Sequence, residues 1–145
     1  MEQILDKILE SIEKGLSYQA YEDLYYMCKE VMKTDTALGV KYLKTLSALC
    51  ESAIRNPALS DDELRKIFSL HKRVCLAAAP YDFDSYLLYV EWNRPPEKKF
   101  YPPRRKVLKQ VVDCLQELAD DKLDLLSISL PPGSGKTTLA IFFLT

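Results

Sequence analysis

SISLPPGSGKTTLAIFFLT, residues 127–145, is the most informative stretch of this 145-residue sequence. The apolar run LDLLSISL, residues 123–130, precedes a group of small residues, and apolar helix-forming residues come after that group. A short apolar run bounded by acidic residues and prolines is typical of a strand that is buried on both faces. The stretch therefore predicts a strand, a loop and the first turns of a helix, in that order.

The loop, residues 130–137 and called the candidate loop below, has the composition of a phosphate-binding loop. Gly133 and Gly135 are two of only four glycines in the chain, and small residues let backbone N–H groups turn inward around an anion. The helix that follows points the positive end of its dipole at the same anion. Lys136 adds a full charge near the β- and γ-phosphates, and the Thr137 hydroxyl suits Mg²⁺. The alternative interpretation is a Gly-Ser turn followed by a solvated lysine.

The beginning of the candidate loop departs from the common form G-x-x-x-x-G-K-[ST]. Leu130 occupies the position of the first glycine, and Pro131 and Pro132 follow it. Because a proline ring fixes its own φ angle, the loop starts with two rigid residues.

The rest of the chain has mainly helical periodicity. Ser60 and Glu63 have the spacing of a capping box, and the helix that they open should end before Pro80. Asp82 and Asp84 are expected to form a turn or a helix cap rather than to bind a metal. The predicted helices cover about residues 4–14, 17–33, 36–55, 61–79, 81–92 and 104–118, because apolar residues recur there every three to four positions.

A change in composition predicts the domain organisation. Residues 93–109, NRPPEKKFYPPRRKVLK, contain four prolines and seven basic residues against one acidic residue. Pro-Pro pairs interrupt helices, so we predict a helical domain over residues 1–92, a basic Pro-rich linker over 93–103 and the beginning of a P-loop ATPase domain over 104–145. The basic residues either contact phosphates of DNA or a nucleotide or belong to a solvated linker.

Overall composition argues against several classes of protein. Lys and Arg (20) nearly balance Asp and Glu (21), so the net charge of −1 gives no information about partners. Cys28, Cys50, Cys75 and Cys114 have no CxxC spacing, and His71 is the sole histidine, which makes a zinc site improbable. No apolar run reaches the roughly 18 residues of a membrane span, and the N-terminus lacks the apolar core of a signal peptide. We expect a cytoplasmic protein with reduced cysteines and no membrane partner.

The stretches FYPPRR and LLSISLPPGSGKTTLAIFFLT resemble the large subunit of the tailed-phage terminase, the ATPase and nuclease that packages DNA into proheads. Members of that family have a P-loop of the form [apolar]-P-P-x-x-G-K-[ST], preceded by a helix and a Pro/Arg-rich segment. The resemblance covers about residues 81–145 and is weak over residues 1–80. It implies a mainly α chain in which a helical bundle precedes the start (helix, strand, P-loop, helix) of a RecA-like α/β P-loop ATPase core.

The resemblance also implies a site and its ligands. ATP and Mg²⁺ would be the cofactors, Lys136 would be the catalytic residue at the β- and γ-phosphates, and Thr137 would ligate Mg²⁺. Phe100 and nearby residues ahead of the loop could contact the adenine or the ribose. The implied nucleotide-binding residues are Pro132, Gly133, Ser134, Gly135, Lys136, Thr137 and Thr138 in and after the loop, and Tyr101, Arg104 and Gln110 ahead of it.

The implied partners are double-stranded DNA, which the intact motor moves inside the host cytoplasm, and the small terminase subunit or the portal. The acidic strand that holds Mg²⁺ and the nuclease acids lie further downstream in the family, so we expect these 145 residues to be a truncated chain without ATP turnover. Many terminases have an arginine where this loop has Gly133 and Ser134. Two alternatives stay open: the helical part is a protein-interaction module, or the chain is another P-loop protein, such as a helicase or an AAA+ ATPase.

Overall fold

The computed structural model describes residues 1–15 and 18–145. This part of the chain contains seven α-helices, one 3₁₀ helix and no strand. It divides into two compact units, Met1–Ala78 and Ala79–Thr145. None of the described helices has both the length and the hydropathy that a membrane span requires. The prediction of a mainly helical chain is confirmed.

The first unit consists of α1 (Glu2–Glu13), α2 (Tyr18–Met32), α3 (Thr36–Ile54) and α4 (Asp61–Ala78). Helix α3 packs against both α2 and α4, and α2 also contacts α1 and α4. Each helix buries one apolar stripe in a common interior, as an amphipathic helix does. The interior residues with no exposed surface are Leu5, Leu24, Cys28, Leu43, Leu46, Cys50, Leu70 and Val74.

Helix ends in the first unit follow the predicted signals. Helix α1 ends just before Gly15, which has a φ angle of 79°. The Ser60 N–H donates to Glu63 Oε2 at 3.1 Å, and the Glu63 N–H donates to Ser60 Oγ at 3.3 Å, so the capping box is confirmed. Helix α4 ends before Pro80. Ser17, the predicted beginning of α2, lies outside the described residues.

Two cysteines of the first unit behave as apolar core residues. Cys28 and Cys50 have no exposed surface. Burial disfavours the thiolate and raises the pKa of each thiol to about 12. Both side chains are therefore protonated near neutral pH and contribute packing rather than chemistry.

The second unit consists of α5 (Phe83–Val90), a 3₁₀ turn (Pro96–Lys98), α6 (Tyr101–Ala119) and α7 (Lys136–Leu144). Helix α5 packs against α6. The division between the units therefore falls at Ala78, ahead of the boundary predicted at residues 93–103, because α5 shares its core with α6. The buried members of that core are Leu87, Tyr101, Leu108, Val112, Leu115 and Leu139.

Helix α6 begins at Tyr101, earlier than the predicted start at Arg104. Pro102 and Pro103 therefore lie in its first turn. The first four N–H groups of a helix have no intrahelical acceptor, so the missing proline donors cost no hydrogen bond at this end. This Pro-Pro pair opens the helix and is not part of an extended connector, which corrects the prediction from sequence.

The predicted strand at residues 123–130 is not a strand in the structure. The segment has no regular secondary structure, although Leu126, Ile128 and Leu130 are partly buried against the core of the second unit. The two serines between them are exposed, which gives the period-two alternation of a strand with one covered face. A strand also needs a hydrogen-bonded neighbour, and the described residues provide none.

Gly39 in α3 should resist replacement by alanine. A Cβ at this position would lie 2.9 Å from the backbone oxygen of Cys28 in α2 and would clash with the Met32 side chain. Alanine normally stabilises a helix by about 1 kcal/mol relative to glycine, but this overpacking should outweigh that gain. We expect Gly39→Ala to lower the free energy of unfolding by about 1–3 kcal/mol in urea denaturation.

The matched control for this prediction is the reverse exchange at an exposed position of the same helix. Ala48→Gly should cost about 1 kcal/mol by helix propensity alone. A Gly39→Ala chain that is as stable as the unmodified chain, or more stable, would contradict the close approach of α2 and α3.

Candidate phosphate-binding site

The first half of the candidate loop is a tight turn. The Ser134 N–H donates to the Pro131 carbonyl oxygen at 3.3 Å and closes a four-residue turn. Pro132 occupies the second position, and Gly133 occupies the third with a φ angle of 79°. A proline followed by a residue with positive φ is the requirement of a type II turn. Pro132, the second of the two prolines that follow Leu130, therefore has a defined conformational role in this turn.

The second half of the candidate loop is an uncapped helix start. Gly135 is the N-cap of α7, with a left-handed φ angle of 91° and no capping side chain. The N–H groups of Lys136, Thr137 and Thr138 belong to the first turn, where a helix has no internal acceptors. All three residues are exposed. The first-turn amides and the positive end of the helix dipole thus belong to an exposed helix start, which favours an anion.

Two side chains of the candidate loop lack partners among the described residues. The Ser134 hydroxyl is buried and makes no hydrogen bond there, which costs about 1–3 kcal/mol for a buried polar group. Lys136 is exposed and forms no ion pair with a carboxylate in the part of the chain that the structure describes. The loop residues therefore fit a ligand that brings negative charge and hydrogen-bond acceptors, such as a polyphosphate.

Phe100 packs directly against the candidate loop. A Cβ on Gly135 would lie 2.6 Å from Cζ of the Phe100 ring, so the ring occupies the space that a side chain would need. The same ring stacks on Phe142 of α7, with centroids 6.2 Å apart and an interplanar angle of 22°. Two independent features therefore favour glycine at position 135: its left-handed φ angle and the closeness of the Phe100 ring.

Arg104 contacts both the backbone and the ring of Phe100. Its Nη1 donates to the Phe100 carbonyl oxygen at 2.9 Å, and its Cζ lies 5.0 Å from the centroid of the Phe100 ring. The side chain is exposed and pairs with no carboxylate in the described ranges. Because the Phe100 ring contacts both Arg104 and Gly135, a positive charge is held beside the candidate loop.

Arg105, the neighbouring arginine, forms an ion pair with Asp84 in the second unit. Its Nε and Nη2 donate to the two carboxylate oxygens of Asp84 at 3.0 and 2.7 Å, and the Tyr101 hydroxyl donates to the same carboxylate. Burial raises the pKa of Asp84, but the hydrogen bonds from Arg105 and Tyr101 outweigh it, so the pKa lies below its ordinary value. Of the two arginines, Arg104 is therefore the one that is placed to meet a ligand of the loop.

Tyr101 and Gln110 are the other two residues that the resemblance implied as nucleotide contacts. Both belong to α6, but neither is placed as Arg104 is. Tyr101 has no exposed surface, so its implied contact with a nucleotide conflicts with its place in the core. Burial and the Asp84 carboxylate also raise the pKa of its phenol. Gln110 is exposed but follows Tyr101 by nine residues, roughly 13 Å along the helix axis at about 1.5 Å per residue.

Glu91 belongs to this site but is not among the residues predicted for it. It has no exposed surface, and its two carboxylate oxygens accept the N–H groups of Phe100 at 2.6 Å and Tyr101 at 2.8 Å. Arg94 Nη1 lies 3.3 Å from the same carboxylate. Glu91 thus caps α6 from a distance of several residues. The position of Glu91 between Val90 and Trp92 was the available signal, because a carboxylate in an apolar segment needs buried donors.

Asp82 and His71 form hydrogen bonds or close polar contacts with neighbouring side chains. Asp82 accepts the Ser85 N–H at 3.0 Å and the Ser85 hydroxyl at 2.7 Å, so the predicted cap of α5 is confirmed for Asp82. His71 is buried, and its Nε2 lies 3.0 Å from the Ser47 hydroxyl and 3.7 Å from a Glu51 carboxylate oxygen. Within the described ranges, no three His, Cys, Asp or Glu side chains are grouped as metal ligands.

Asp84→Asn tests the buried ion pair that anchors α6. Because Asp84 is buried and Arg105 is only partly exposed, loss of the charge should lower the free energy of unfolding by about 2–4 kcal/mol. The pKa of Asp84 is lowered on folding from 3.8, so its stabilising effect is present above that pH and is lost as pH falls through the folded value. The difference between the two chains in urea denaturation should be constant from about pH 5 to 8 and shrink below about pH 4.

Asp113→Asn is the control for this prediction, because Asp113 forms an exposed ion pair with Lys109 on the same helix. Its effect should stay below about 1 kcal/mol. Equal stability of the Asp84→Asn and Asp113→Asn chains would refute the anchoring role of Asp84.

The comparisons with known proteins do not identify the chain. No protein-family model, curated protein or solved structure gives a significant match to it. The resemblance to terminases accordingly depends on the motif residues themselves, and the function is proposed from the candidate loop and its surroundings.

Proposed function

We propose that the second unit of this chain binds ATP with Mg²⁺ through residues 132–138. The observation that carries this proposal is the uncapped start of α7, which is opened by two left-handed glycines and followed at once by the exposed Lys136. First-turn N–H groups, the positive end of the helix dipole and a full positive charge occur together at this exposed helix start. This is the combination with which proteins bind the phosphates of a nucleotide.

Each residue of the candidate loop has a role in this proposal. Pro132 and Gly133 form the turn, and Gly135 brings the backbone of α7 next to the phosphates. Lys136 binds the β- and γ-phosphates, and Thr137 supplies an oxygen ligand to Mg²⁺. The bound ion would neutralise phosphate charge. Ser134 would obtain the hydrogen-bond partner that its buried hydroxyl lacks among the described residues.

At the level of the whole protein, we propose an ATPase of a viral DNA-packaging motor of the terminase type. The motif [apolar]-P-P-x-x-G-K-[ST] supports this, since its second proline, Pro132, has a structural explanation in the turn that ends at Ser134. Double-stranded DNA, the small terminase subunit and the portal would then be the partners, in the host cytoplasm.

The segment ahead of the loop, residues 123–130, supports the α/β part of this proposal. The alternation of buried and exposed side chains over residues 126–130 is that of a sheet strand. Backbone groups of an extended segment need hydrogen-bond partners, and neighbouring strands of a RecA-like parallel sheet would provide them.

Lys136→Ala tests the proposed function. The unmodified chain should bind ATP with Mg²⁺ in isothermal titration calorimetry, and removal of the lysine charge should weaken binding by about tenfold or more. Lys7→Ala is the control, because Lys7 is an exposed lysine of the first unit. The proposal is wrong if the unmodified chain binds no nucleotide, or if the two substitutions have the same effect.

Arg104→Ala tests whether the charge beside the loop contributes to binding. The substitution should lower the affinity for ATP by about three- to tenfold and reduce its dependence on salt, because a partly screened positive charge is lost. Lys106→Ala removes the same charge from an exposed position two residues later in α6 and should change the affinity less. Unchanged affinity in the Arg104→Ala chain would exclude a contact between Arg104 and the nucleotide.

A further inference from the structure

Phe100 is held in place at its backbone and at its ring. Its N–H donates to the buried carboxylate of Glu91 at 2.6 Å, and its carbonyl oxygen accepts from Arg104 at 2.9 Å. Its ring stacks on Phe142 of α7. A residue whose backbone is fixed by a charge-assisted hydrogen bond and a second hydrogen bond, and whose ring is packed against another ring, has little freedom to move.

The Glu91 carboxylate that accepts the Phe100 N–H is itself held in place by burial and by a second hydrogen bond. Glu91 has no exposed surface, and its second oxygen accepts the Tyr101 N–H at 2.8 Å. Tyr101 is fully buried and donates to Asp84, which also binds Arg105. The beginning of α6 is therefore tied to α5 through two buried carboxylates, and Phe100 lies at that fixed end.

The Phe100 ring limits what Gly135 can do. Glycine has access to more φ and ψ combinations than any other residue, so a glycine at a ligand site loses entropy when a ligand selects one of them. Here the ring lies where a Cβ of residue 135 would be and blocks movement of the loop toward α6. By contrast, a Cβ on Gly133 would meet no atom within 4 Å. The restriction thus applies to the glycine at which α7 begins.

We propose that Phe100 is a positioning residue of the phosphate site and that Glu91 is its anchor. Phe100 holds Gly135 in the left-handed conformation that directs the N–H groups of α7 toward the phosphates, so the site is formed before the ligand arrives. Binding then avoids part of the entropy cost of ordering the loop. This inference rests on the proposed function, since it assumes that the loop binds a phosphate ligand.

The glycines of this chain provide a direct readout. Two of the four glycines, Gly133 and Gly135, lie in the candidate loop, and Gly15 and Gly39 lie in the first unit. In a chain labelled with ¹⁵N-glycine, titration with ATP and Mg²⁺ should shift the two loop resonances and leave the other two unchanged. Phe100→Ala should move the loop resonances before any ligand is added and weaken ATP binding by about tenfold. Phe100→Leu, which retains an apolar side chain, should have a smaller effect.

Phe83→Ala is the matched control. The Phe83 ring packs edge-on against Phe143 of α7, with centroids 5.4 Å apart, so its loss also removes an aromatic contact from that helix. It should leave the Gly135 resonance and the ATP affinity nearly unchanged. Glu91→Gln, which places an amide donor against a backbone N–H group, should shift the Gly135 resonance in the same direction as Phe100→Ala.

The outcomes separate the two proposals. If the unmodified chain binds ATP and the Phe100→Ala chain binds it equally well, Phe100 is not a positioning residue, although the proposed function stands. If Phe83→Ala weakens binding as much as Phe100→Ala does, the effect is general destabilisation and the inference fails. If the unmodified chain shows no shift at Gly133 or Gly135 with ATP, the proposed function fails and this inference fails with it.

Discussion

The hydrogen bonds that the buried Glu91 carboxylate accepts from the first turn of α6 determine how the second unit is arranged. A carboxylate without solvent contact needs donors, and the helix start supplies two N–H groups together with the positive end of its dipole. This interaction fixes Phe100, and Phe100 in turn contacts Gly135, where α7 begins. The geometry of the candidate loop at Gly135 therefore depends on an acid that lies 44 positions earlier in the sequence.

Periodicity and capping signals were enough to predict the helices of the first unit. The capping box of Ser60 and Glu63 is formed as predicted, because both partners lie within one helical turn. The contact of Glu91 with Phe100 and the pair of Asp84 with Arg105 were beyond sequence reasoning, since they join residues on different elements. The candidate loop was recognisable because its residues are contiguous in sequence. The packing of Phe100 against Gly135 depends instead on how the start of α6 meets α7.

The charge of the basic stretch shows how a local count can mislead. Residues 94–109 carry seven basic residues and one acidic residue, which suggests a strongly positive segment. Arg94, Arg105 and Lys109 each pair with an acid that lies outside that stretch. The positive charge that stays available is concentrated in fewer side chains, of which Arg104 lies beside the candidate loop. Electrostatic attraction toward an anion is therefore more local than the sequence suggests.

The two loop glycines differ in what sequence variation they permit. A side chain at Gly133 would meet open space, so asparagine or aspartate, which tolerate a positive φ angle better than other residues, could replace it at modest cost. Gly135 cannot be replaced in this way. A smaller residue at position 100 would remove the clash but leave the unfavourable φ angle, and an asparagine or aspartate at position 135 would still clash with the Phe100 ring. In a population of variants selected for folding alone, position 133 should therefore drift, while position 135 should change only together with position 100.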